Sequence, residues 1–158
     1  MDTIISGGLT VMTLKMWRVL LLLPICLAAS CGNPAAPEVQ KLQGEWTAVS
    51  IEENGSTLSP EQVRKRNMKL RFDGYSVTMV WEFSNQGTFT VDPTAQPKTI
   101  DFTIQGRGSR QMQMLGIYDW NGDNLKICFL RPPDVRPGEF RIIPPNEGII
   151  AVFQRSKS

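Results

Sequence analysis

Apolar and polar residues alternate with a period of two along much of the chain beyond residue 40. Met68, Leu70 and Phe72 alternate with Lys69 and Arg71, and Val77, Met79, Trp81 and Phe83 with Thr78, Val80 and Glu82. Ile100, Phe102 and Ile104 alternate with Thr99, Asp101 and Thr103, and Leu125, Ile127 and Phe129 with Lys126 and Cys128. Successive side chains of a strand point to opposite faces, so each stretch predicts a strand with one face on a core and one in water. Weaker segments of the same kind are 42–52, 88–91, 113–120 and 149–154, which brings the expected strands to eight.

Turn residues separate these segments. Asp73-Gly74, Asn85-Gln86-Gly87 and Asn121-Gly122-Asp123 are hairpin signals, because Gly and Asn tolerate positive φ, and Asn54-Gly55 ends the first strand. Ser59-Pro60-Glu61-Gln62 predicts a helix start, with Ser59 as N-cap, Pro60 at the first helical position and Gln62 completing a capping box. Arg131 to Pro145 carries prolines at 132, 133, 137, 144 and 145, which predicts a long, stiffened loop before the last strand. The fold class is all-β: a single eight-stranded antiparallel barrel of up-and-down type, with one short helix after the first strand. Closure removes the exposed edges that invite aggregation. An open β-sandwich is the alternative.

The first thirty residues follow another pattern. Lys15 and Arg18 precede an apolar run from Val19 to Leu27, broken only by Pro24, and Ala28-Ala29-Ser30 lead into Cys31. This reads as a secretory signal over residues 1–30, with an apolar run too short for a membrane span of ~20 residues. Asp2 and the two glycines of the first eleven residues suit a signal start poorly, so Met12 or Met16 is the expected initiator. A cysteine directly after small residues fits lipoprotein processing, which makes Cys31 the expected lipidation site and a lipid-anchored position in the cell envelope the expected location. The alternative is ordinary cleavage after Ser30 and a soluble periplasmic or secreted protein. Residues 31–40, polar and proline-containing, read as a tether, and residues 41–155 as the barrel domain.

The remainder, about 130 residues, suffices for one domain. The whole chain of 158 residues carries a formal charge of +2, which points to no nucleic-acid partner, and a monomer is expected. There is no histidine. Its absence removes Ser-His-Asp and Cys-His nucleophiles and the common zinc sites, so neither catalysis nor a metal or other cofactor is expected. With Cys31 acylated, Cys128 is unpaired and reads as a small buried apolar residue between Ile127 and Phe129.

Leu42-Gln43-Gly44-Glu45-Trp46 on the first of eight strands resembles the Gly-x-Trp opening of lipocalins. Further segments are Val91-Asp92-Pro93-Thr94, Pro97 to Asp101, Leu115-Gly116-Ile117-Tyr118, and Asn124 to Phe129 leading into Arg131-Pro132. Together they resemble a lipocalin-like family of exported proteins abundant in planctomycete-type bacteria, over about residues 41–155. The resemblance implies a barrel in which Gly44 makes room for close packing, Trp46 plugs the closed end and Arg155 covers its ring. It implies no particular activity. The Thr-Asp-Tyr turn of true lipocalins is missing; Tyr118-Asp119-Trp120 only echoes it.

Trp46, Met79, Trp81, Phe102, Tyr118 and Phe129 are the candidate ligand-binding residues. In a barrel of eight strands they either fill the interior or leave space for one small apolar ligand. Asp101, Glu82, Asp119 and Glu139 are the carboxylates nearest apolar runs, but Glu82 and Asp101 fall on the polar phase of their strands, which speaks against an acid/base pair. Arg131, Arg136 and Arg141 either cluster over a barrel mouth to hold an anion or are solvated loop charges. Two functions follow: a non-catalytic envelope lipoprotein that binds a small apolar ligand inside its barrel, or a filled barrel that meets a protein or cell-wall partner through its Pro/Arg-rich loop.

Overall fold

The computed structural model describes residues 33–81, 83–105, 111–130, 136–143 and 145–156. Cys31 and the signal segment lie outside the described residues, as do Glu82 and Arg131. The chain runs through α1 (Ala35–Leu42), β1 (Gly44–Glu53), a two-residue β2 (Ser56–Thr57) and α2 (Pro60–Arg66). There follow β3 (Lys69–Asp73), β4 (Ser76–Val80), β5 (Ser84–Asp92), β6 (Thr99–Gln105), β7 (Gln111–Asn121), β8 (Asn124–Leu130) and β9 (Gly148–Arg155). Neighbours pair antiparallel in the order β1-β3-β4-β5-β6-β7-β8-β9, and β9 pairs back onto β1, from Trp46 opposite Arg155 to Glu53 opposite Ile149. That return closes an eight-stranded barrel, with β2 as a short flap on β1.

The eight alternating segments are the eight barrel strands, and α2 is the helix after the first. Its start is the capping box read from the sequence: Ser59 N donates to Gln62 Oε1 at 2.7 Å, and Gln62 N donates to Ser59 Oγ at 3.3 Å. Val63 is the buried residue of this helix.

The structure departs from the sequence reading in three places. Part of the expected tether, residues 35–40, belongs to α1. Pro34 and Pro37 do not prevent this, since the first turn of a helix has no intrahelical use for their missing N–H. Val39 and Leu42, three apart on one face, are buried against the barrel and supply the reason for the helix to form. The second departure is the turn after β4. Val80 pairs with Ser84, so the connection falls between these two and takes in Trp81 and Phe83, and Asn85-Gln86-Gly87 lies inside β5. Gly87 is needed there because a Cβ would run into Thr103 O and the Ile104 Cα on β6.

The third departure concerns the Pro-rich loop. Ile117, Cys128 and Ile150 point outward from the adjacent strands β7, β8 and β9, forming an apolar stripe on the outer wall. The described part of the loop lies over it: Ile142 and Pro137 are buried there, and Phe140 packs against the same cluster. Lys126 Nζ sits 4.6 Å from the Phe140 ring centroid. A second, smaller core thus sits outside the barrel.

Candidate functional site

At one end of the barrel α1 lies across the start of β1. Trp46 is buried, and its Nε1 donates to Leu42 O at 2.7 Å, satisfying a carbonyl that the helix end leaves open. Its ring is 5.7 Å from that of Trp120, whose Nε1 donates to Glu38 Oε2 at 3.0 Å. Glu38 also pairs with Lys98 at 3.5 Å, so one carboxylate ties α1 to β7 and to the loop before β6. Arg155 lies over Trp46, and Lys41 Nζ lies 3.8 Å from the Trp120 ring centroid. Gln43 continues the closure: its Nε2 donates to Gly74 O at 3.0 Å, and Gly74 N donates to its Oε1 at 2.7 Å.

Of the six candidate ligand residues, Trp46, Met79, Phe102, Tyr118 and Phe129 are buried in one continuous cluster inside the barrel. Their rings meet each other and their neighbours. Phe102 stands edge-on to Phe129 at 6.2 Å and stacks with Phe72 at 6.4 Å, and Phe72 meets Phe89 at 4.8 Å. Contacts at these distances are those of aromatic pairs in a packed core. The Tyr118 hydroxyl is buried and, among the described residues, no group meets it with hydrogen-bond geometry, although Glu38 is close enough to act on it. Burial first, and then the Glu38 charge, push its pKa well above the ordinary tyrosine value.

The two described arginines of the loop, Arg136 and Arg141, are committed to nearby acids. Arg136 forks onto Asp101, Nη1 to Oδ1 at 2.5 Å and Nη2 to Oδ2 at 2.7 Å, and Nη1 also donates to Gly116 O at 2.6 Å. Arg141 pairs with Glu139 at 2.7 Å on the surface. Arg136 therefore pins the loop to the outer wall and does not sit over a barrel mouth. Asp101 is on the outer phase of β6 and spent in this pair, and Asp119 Oδ1 accepts from Trp120 N at 2.8 Å. Among the described residues no three His, Cys, Asp or Glu side chains gather to hold a metal ion.

Trp81, the sixth candidate, is different. It follows β4 at the opposite end of the barrel, half-buried beside Leu58 and packed on the edge of the core. Between it and α2 opens a hollow of about 430 Å³, lined by Leu58, Gln62, Lys65, Arg66 and Trp81. That volume falls in the range of small-molecule sites, ~300–1,000 Å³. Two further hollows, of about 250 and 240 Å³, lie beside the loop before β6 and on the outer face of β3 to β5. Among the lining residues of the large hollow the sequence marks Trp81 as a ligand candidate and Gln62 only as part of a helix cap. Gln62, Lys65 and Arg66 come from α2, whose capping box signals a helix but not that one of its faces borders an opening, and Leu58 stands just before that helix.

The fold defines a closed, up-and-down antiparallel barrel with a helix at each end. No family model, curated protein or solved structure matches the chain. Among the described residues no helix is long and apolar enough to cross a membrane.

Proposed function

We propose that the chain is an exported, non-catalytic barrel, lipid-anchored through Cys31, that acts by binding a small molecule at the mouth beside Trp81. The observation that carries this reading is the hollow of about 430 Å³ between α2 and Trp81, set against an interior where aromatic rings already touch. A binding function inside the barrel would need space that Phe72, Phe102 and Phe129 occupy. The small residues before Cys31 support the anchor, and the missing histidine together with the paired state of Asp101 and Glu139 supports the absence of catalysis.

The test is titration of purified protein with 8-anilinonaphthalene-1-sulfonate, whose fluorescence rises when it leaves water. One equivalent should bind, and Trp81→Ala should abolish the signal while Phe102→Leu leaves it intact. The reverse pattern would place the site inside the barrel. For the anchor, radiolabelled palmitate should enter the wild-type protein and not Cys31→Ala.

A further inference from the structure

We infer that the mouth hollow takes an amphipathic organic anion, its apolar body against Trp81 and Leu58 and its anionic group on Gln62 and Lys65. The inference rests on the reading of this mouth as the binding site and adds the chemical class of the ligand.

The polar wall is built by α2. Gln62 and Lys65 are three residues apart, which places them on one face of the helix, and both border the hollow. Gln62 is held by the capping box: its Oε1 accepts from Ser59 N at 2.7 Å, which fixes the amide plane and leaves the NH₂ end to donate elsewhere. Arg66 is already neutralised, with Nη2 2.6 Å from Glu53 Oε2. Lys65 has no acidic partner among the described residues, and it sits in the run Arg64-Lys65-Arg66 of the last turn. The hollow therefore offers a fixed amide donor and an uncompensated ammonium beside an indole face and a leucine. An anion gains from both donors, a cation meets Lys65, and a neutral apolar molecule leaves both donors unused.

Naphthalene-2-sulfonate and 2-naphthol share one ring system and differ in charge, so they read the ligand class directly. Isothermal titration at low salt should give the sulfonate at least about five-fold tighter binding, with the preference shrinking as salt is added. Lys65→Gln should weaken the sulfonate about five-fold and leave 2-naphthol unchanged. Gln62→Glu keeps an acceptor for Ser59 N, so the helix cap survives, and exchanges the donor for a negative charge. It should weaken the sulfonate at least as much, with an unaltered melting curve. Equal binding of both probes, dependent on Trp81 and indifferent to Lys65 and Gln62, would overturn the ligand class and leave the mouth site standing. Binding of neither probe, or binding unaffected by Trp81→Ala, would overturn the mouth site and this inference with it.

Discussion

Arg155 holds its guanidinium 4.4 Å from the centroid of the Trp46 ring while donating to the carbonyls of Gln43 and, at 2.9 Å, Lys41. One side chain covers the indole and ties down the corner between α1 and β1. Gly44 in that corner has φ 103°, and a Cβ there would stand 3.0 Å from Arg155 Nη1, so the fork occupies the place of a side chain. Trp46→Ala should cost ~3–5 kcal/mol in urea denaturation. Arg155→Ala should cost about 1–2 kcal/mol, with a coupling to Trp46 of ~0.5–2 kcal/mol. A double-mutant cycle with no coupling would mean that the cation contributes nothing to the indole.

The Arg136–Asp101 fork fastens the loop that covers Cys128. Arg136→Gln should loosen that cover by about 1–2 kcal/mol, raising local opening ~5–30-fold. Iodoacetamide labelling followed by mass spectrometry, read at Cys128 alone, checks this. An unchanged labelling rate would assign the cover to Ile142 and Phe140 without help from the fork.

Burial, assisted by Glu52 and opposed by Lys126, pushes the Cys128 thiol from 9.0 up to about 11. The folded chain then holds this proton more tightly than the unfolded chain. The stabilisation is complete below pH 9.0 and is lost as pH rises from there through about 11. The loss should amount to roughly 3 kcal/mol across that window. Cys128→Ala should flatten the decline between those limits in denaturant melts. Tyr118, also raised, adds a decline of its own above its ordinary value of 10.0, which the variant leaves in place.

Gly87→Ala should weaken the β5–β6 pairing by roughly 3 kcal/mol or more, since the clash is with backbone that cannot swing aside. Gly74→Ala, where a Cβ meets nothing within 4 Å, serves as the contrast; it carries only the strain of φ 58°. Comparable losses at both sites would remove the steric account of Gly87.

The period-2 pattern made the strands legible because one face of each is buried and the other wet. It failed where that condition fails. On β8 and β9, Cys128, Leu130 and Ile150 are apolar on the outward phase, since a loop covers them; the unbroken runs Ile127–Leu130 and Ile149–Phe153 were the available sign of a doubly covered wall. Asn85-Gln86-Gly87 carries turn residues, but its glycine answers to a neighbouring strand rather than to a turn. Trp46 and Arg155 meet because the first and last strands are neighbours in any closed meander. The mouth hollow depends on how far α2 stands from Trp81, a distance across the fold that no local pattern encodes.

The pairing of β9 with β1 also bears on how the chain reaches this state. Most strand pairs join neighbours in sequence, closed by short turns and reachable by local search. The seam instead brings together groups such as the Thr47 and Ser156 hydroxyls, 109 residues apart and 2.8 Å from one another. Loop-closure entropy is therefore concentrated in a single event, and the cations and indoles gathered at the end of that seam are the first return on it.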